Sequence, residues 1–171
     1  MSPPHYGRLS VDEIRVQKED FSLSEEYEKC CVAAGPECGA VATFTGLVRQ
    51  FEVSTSVSGL HLEHYPGMTE KSMENIVAKA RNRWSLQHVR VVHRIGVLEA
   101  GSQIVLVIVA SSHRPDAFAA CEYIMDFLKT EAVFWKKEIR SDGEIWIKST
   151  SHDYERRDGW AGEPSATVKR W

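Results

Sequence analysis

Hydrophobic and polar positions alternate or recur along this chain in runs whose period names the element each run should form. Ile14 and Val16 alternate with polar neighbours, as in a short strand. Phe21-Ser-Leu-Ser-Glu-Glu then opens a helix with Ser22 or Ser24 as N-cap, and Gly35-Pro36 closes it. Gly39 to Val48 is β-rich, and its two glycines predict a bulge or a close backbone approach. After a polar connector from Gln50 to Ser58, the strict alternation of Leu60-His-Leu-Glu-His-Tyr65 predicts a half-buried strand, broken by Pro66-Gly67. Met73, Ile76, Val77, Ala80 and Trp84 mark an amphipathic helix. Strands follow at Val89–Ile95 and Gln103–Ser111, around the turn Glu99-Ala-Gly-Ser. The second is apolar on both faces and is therefore expected at the centre of a sheet. Pro115 starts a third helix with Phe118, Cys121, Met125 and Leu128 on one face. Phe134–Ile139, Ser141-Asp-Gly and Glu144–Lys148 complete a β-hairpin.

The order β-α-β-β-α-β-β-α-β-β, with short connections, predicts an α+β domain built on an antiparallel sheet with three main helices. Residues 1–10 are expected to be a flexible leader and 11–150 the domain. Residues 151–171 are a polar tail carrying Trp160 and Trp171, which is expected to dock on its own domain or on a partner.

Charge narrows the function. Twenty-one Lys+Arg against 24 Asp+Glu leave a net charge of −3, which excludes a broad basic face for nucleic acid. The four cysteines, at 30, 31, 38 and 121, form no C-x-x-C pair, so zinc-ribbon and thioredoxin-like readings lack support. That cysteine usage fits a reducing compartment, and with no signal-like N-terminal stretch it predicts a cytoplasmic protein. Gly-rich phosphate loops, zinc-protease helices and nucleophile elbows are absent from the sequence, and His61 and His64 fall on opposite faces of their strand.

What remains is a set of spaced cations. His113 and Arg114 sit at the start of the third helix, where free N–H groups and two cationic side chains suit an anion. The plainer alternative has Ser112 capping the helix while both side chains are solvated. Lys129 ends that helix, where a cation complements the dipole whether or not it has another task. Lys136 shares a strand face with Phe134 and Glu138. A lysine desolvated there would have a lowered pKa, whereas an ordinary edge-strand lysine would only discourage aggregation. Arg49 opens the polar connector. These five cations at element ends are expected to converge on one pocket for a small anion. No cysteine belongs to the set, so any sulfur handled there would arrive on another molecule.

The motifs Gly39-Ala-Val-Ala-Thr-Phe-Thr-Gly-Leu-Val-Arg49, Leu62-Glu-His-Tyr-Pro-Gly-Met-Thr-Glu-Lys71, Val92-His-Arg-Ile-Gly96, Ser112-His-Arg114, Ala117-Phe118, Phe127-Leu-Lys-Thr130 and Phe134-Trp-Lys-Lys-Glu138 resemble the large, catalytic subunit of molybdopterin synthase, the MoaE family. The likeness runs from about Val11 to Lys148. It implies an α/β hammerhead-like α+β fold and a homodimer at the centre of a heterotetramer. Each subunit would bind a small ubiquitin-like sulfur carrier ending in Gly-Gly, and neither a metal nor an organic cofactor. The implied reaction moves two sulfurs from the carrier's C-terminal thiocarboxylate to cyclic pyranopterin monophosphate, giving molybdopterin. The resemblance also implies site roles. Lys129 and Lys136 match the family's catalytic lysines, and Arg49, His113 and Arg114 match substrate-binding positions. Leu47, Val48, Lys137 and Glu138 extend the substrate contacts. Leu47 stands where the family often has a polar residue, so any contact there would use its backbone. Two other readings compete: a non-catalytic module holding an anionic small molecule or a partner's C-terminal tail, and a lysine-dependent carbonyl enzyme.

Overall fold

The computed structural model describes residues 11–49 and 57–162; the expected leader, most of the polar connector and Trp171 lie outside them. Eight strands and four helices follow in the order β1 (Glu13–Gln17), α1 (Leu23–Ala34), β2 (Ala40–Leu47), β3 (Val57–His64), α2 (Met68–Arg83), β4 (Leu86–Arg94), β5 (Gly96–Glu99), β6 (Gln103–Ser111), α3 (Arg114–Thr130), β7 (Phe134–Arg140), β8 (Gly143–Ile147) and α4 (Ser151–Asp158). The fold is α+β. Its strands form two four-stranded sheets, ordered β1-β4-β6-β2 and β5-β3-β7-β8. All pairings are antiparallel except β1 with β4.

The two-sided hydrophobicity of β6 has a direct cause. Val105, Val107 and Val109 point into the core shared with α2 and α3, while Leu106, Ile108 and Ala110 point into a second core with Phe21 and Cys30 of the α1 side. Each side chain is essentially dry, and burying a residue of this size contributes about 1.5–3 kcal/mol. The strand therefore sits between β4 and β2, sandwiched by helices. A third, smaller cluster of Val48, Leu62 and Leu98 joins the start of the second sheet to the end of β2.

Both glycines of β2's motif have the expected kinds of role. A Cβ at Gly39 would lie 2.4 Å from the Ser112 carbonyl oxygen, and the β2–β6 register shifts between Gly46 and Leu47. Ser22 is the α1 cap, its hydroxyl accepting from the Glu25 N–H at 3.4 Å. At α3 the N-cap is His113 without a side-chain bond, and the Ser112 hydroxyl instead meets the Gln87 amide.

Three features depart from the expected order. Gly96, with φ +87°, turns the chain sharply enough to start β5 as a separate strand on β3. Phe118, expected on the apolar face of α3, is 68% exposed; the core face of that helix is formed by Ala117, Ala120, Ile124 and Leu128. Finally, the polar segment after Lys148 contains α4. It begins with a reciprocal Thr150–Asp153 capping box and lies along α3. Arg156 reaches Asp126 and Glu122, and the Trp160 indole donates to Asp126 at 2.8 Å. Trp160 also meets Trp84 and Tyr123 edge-on, with the Arg83 guanidinium against all three rings.

Candidate active site

The element that decides the site is the groove between β2 and α3. Gly39 is bonded to Ser111, so β2 starts beside the beginning of α3 and runs toward its end. A cavity of about 610 Å³ follows that groove. Phe44 and Arg49 border it from the β2 side, Phe118, Met125 and Lys129 from α3, and Thr150, His152 and Asp153 from α4. Along α3 the wall alternates Phe118, Cys121 and Met125 with Glu122 and Asp126, both engaged by Arg156, and Lys129 lies at the far end.

There Lys129, in the last turn of α3, places its Nζ 3.8 Å from Oδ1 of Asp153. The Ser149 hydroxyl donates to the Lys129 carbonyl, closing the end of the helix. Lys136 stands on β7 between Leu62 of β3 and Ile147 of β8. Burial pulls its pKa below the ordinary lysine value, and the Lys129 charge pulls in the same direction, while Asp153 opposes both. Asp153 itself is held below the usual carboxylate range: burial would raise it, but its hydrogen bonds from Thr150 and the two lysine charges outweigh burial.

His93 underlies this end of the site. Its ring stacks on Phe134 with centroids 3.8 Å apart, and its Nδ1 lies 2.8 Å from the Arg94 carbonyl, so Nδ1 is the donor. Burial, with Lys136 adding to it, pushes its pKa down to about 3. At neutral pH this imidazole is uncharged.

Of the expected set, Arg49 and Lys129 border the same cavity, and Lys136 lies within electrostatic reach of Lys129. His113 and Arg114 do not join them within one chain. They stand at the opposite end of α3, about 22 Å from Lys129 at 1.5 Å per residue, so the convergence of all five cations in one subunit is corrected. Leu47 is exposed at the β2 bulge. Val48 is buried in the third core cluster, and its backbone N–H and C=O are bonded to Ser102 and Gly101. Lys137 points away from Lys136 on the other face of β7, between Glu63 and Glu144 at 3.6 Å each and over the Trp146 ring. Glu138 is engaged by Arg140.

Asp153 and Cys121, neither assigned to the site at the sequence level, border the cavity. Asp153 was hidden in a polar tail with no hydrophobic period, although Thr150-Ser-His-Asp153 carries a capping signal. Cys121 also lines the pocket, although it is not one of the cationic set. Burial pushes its thiol up to about 12, and its Sγ faces the Val107 carbonyl, so it is a packed thiol and not a reactive one.

The family model for the MoaE protein matches residues 16–131. This chain belongs to the MoaE family. Among curated MoaE relatives, the molybdopterin synthase catalytic subunit of Vibrio cholerae is 55% identical over 147 residues, which is 86% of this chain and 97% of that protein. Among solved structures, the molybdopterin biosynthesis MoaE protein from Burkholderia ambifaria superposes with a TM-score of 0.75 at 47% identity, over 90% of this chain and all of the other. Molybdopterin synthase from Staphylococcus aureus gives 0.72 at 33% identity, over 77% and 94%. The MoaE match spans Arg49, His113, Arg114 and Lys129 and ends before Lys136 and α4. The second lysine and the carboxylate beside the pair thus come from the part of the chain beyond that match.

Proposed function

We propose that the groove between β2 and α3 is where this molybdopterin synthase catalytic subunit transfers sulfur. The C-terminal thiocarboxylate of a small ubiquitin-like carrier enters it and meets cyclic pyranopterin monophosphate. The observation that carries this reading is the pairing of two lysines of unlike environment at one end of a groove bordered by Phe44, Phe118 and Met125. Such a groove suits an extended, small-residue tail, and the lysine pair suits its anionic terminus.

The environments support a division of labour. Lys129, half-exposed and ion-paired, offsets negative charge on the thiocarboxylate and on the leaving oxygen. Lys136, desolvated and lowered in pKa, exchanges a proton as the cyclic phosphate opens. In each transfer the carrier sulfur forms a C–S bond to the pterin side chain. The oxygen displaced from that carbon leaves with a proton, and water releases the carrier carboxylate.

His113 and Arg114 serve this site from a second copy of the chain. Among the described residues no strand pairs with the outer edge of β2, which presents Phe44 and Leu47, with Phe118 beside it on α3. Two such edges meeting antiparallel about a two-fold axis would bring the start of one α3 to the end of the other. Substrate phosphate would then lie between Arg49 of one subunit and His113-Arg114 of the other. The catalytic domain comprises residues 11–150, with the tail folded along it. Four unpaired thiols support a cytoplasmic setting, and among the described residues no helix is long and apolar enough to cross a membrane.

The purified chain alone should form no product. Adding thiocarboxylated carrier and cyclic pterin should give the dithiolene, detected by fluorescence of its oxidised derivative. Carrier binding without dithiolene would instead favour the binding-module reading.

A further inference from the structure

The tail helix lies beyond the residues that the MoaE model matches, yet it is not an idle appendage. Both of its ends are fixed. At the start, the Asp153 Oδ2 accepts from the Thr150 N–H and hydroxyl, each at 2.8 Å. At its other end, Arg156 of the last turn and Trp160 just beyond it are bound to Asp126 of α3. The carboxylate left facing the cavity is therefore preorganised, and its free oxygen is the one 3.8 Å from the Lys129 Nζ. Glu122 and Asp126, the other acids bordering the pocket, are both engaged by Arg156. Among the described acids that border the pocket, Asp153 is the one that turns its charge to the lysines.

We propose that Asp153 is a positioning residue for sulfur transfer, holding the Lys129 and Lys136 ammoniums in place before the anionic substrates arrive. The inference rests on the assignment of the two lysines to sulfur transfer. The physical need is plain. Two ammoniums sharing a partly desolvated site repel, and the more buried one, Lys136, is the one that would give up its proton. A fixed carboxylate between helix and groove counters that repulsion. The charged groups facing Lys136 are Lys129 from α3, Asp153 from α4 and, on β4, His93, which is neutral at working pH. The same carboxylate opposes the incoming thiocarboxylate and phosphate, so it should aid turnover while weakening binding.

That split gives the test. Asp153→Asn keeps the shape and an oxygen that can accept from Thr150, and removes only the charge. With full-length chain, thiocarboxylated carrier and cyclic pterin, D153N should lower kcat about tenfold. It should also lower KM for the carrier about two- to threefold, and move the alkaline limb of the kcat profile to lower pH. Asp153→Glu should recover most of kcat. In parallel, lysines of the chain alone can be reductively methylated with 13C-formaldehyde and titrated by NMR, with K129R and K136R assigning the two signals. D153N should shift the Lys136 signal's titration to lower pH. Unchanged kcat, KM and lysine titration in D153N would overturn the proposal. So would equal kcat losses in D153N and D153E accompanied by raised KM and lowered Tm, which would reduce Asp153 to a helix cap. The NMR arm needs no carrier, so it decides the role of Asp153 even if the wild-type chain makes no dithiolene.

Discussion

His93 illustrates how a single buried residue ties stability to the site. Its imidazole is neutral in the folded protein, with a pKa pushed down to about 3, against an ordinary value near 6.5. Between those values the unfolded chain binds a proton that the folded one refuses. Stability therefore rises with pH through that window and is lost as pH falls from about 6.5 toward 3. Thermal melts at pH 7 and pH 5 should show this loss, and His93→Gln should flatten it; an equal slope in wild type and variant would contradict the assignment. Glu26 also loses its contribution as pH falls, but here the fold favours the charged form. Burial would raise its carboxyl, but the guanidiniums of Arg15, at 2.5 Å, and Arg90, at 2.6 Å, hold it below the usual range. Glu26→Ala leaves Arg90 buried without its partner and should cost about 3–5 kcal/mol in urea unfolding, far more than a surface glutamate.

At the level of elements, legibility followed periodicity. β6 carries a continuous apolar run and α2 a clean helical stripe, and both were readable because burial decides them. β5 was not, since four residues after a glycine with positive φ leave no period to detect. α4 was not, since its eight residues bury no side chain fully and its stability comes from a capping box and from Arg156 and Trp160 on α3. Helices of this length do not stand alone. Docking by Trp160 should therefore govern the element: Trp160→Ala should release α4, seen as faster amide exchange over 151–158 with α3 retained. Protection unchanged there would show that the capping box suffices.

The whole molecule explains which of the site predictions needed the fold. The types of residue at Arg49, Lys129 and Lys136 were readable from motifs and from positions at element ends, but their assembly depends on β2 running alongside α3. The length of α3 also separates His113 and Arg114 from Lys129, a distance that spacing in sequence should have flagged. The dimer account follows from this separation. Lys129→Ala and Arg114→Ala chains, each defective as homodimers, should regain about a quarter of wild-type activity when co-refolded in equal amounts, because about half of the dimers are mixed and each mixed dimer carries one complete site of two. No recovery on mixing would place both residues in the same subunit's site.

The central claim is that Lys129 and Lys136 together effect sulfur transfer in the groove. The measurement that tests it most directly is single-turnover formation of the dithiolene by Lys129→Ala/Lys136→Ala, with thiocarboxylated carrier and cyclic pterin at saturation. Carrier binding is followed in the same samples. Transfer should fall by at least about a hundredfold while the carrier remains bound. Wild-type transfer by the double variant would contradict the claim.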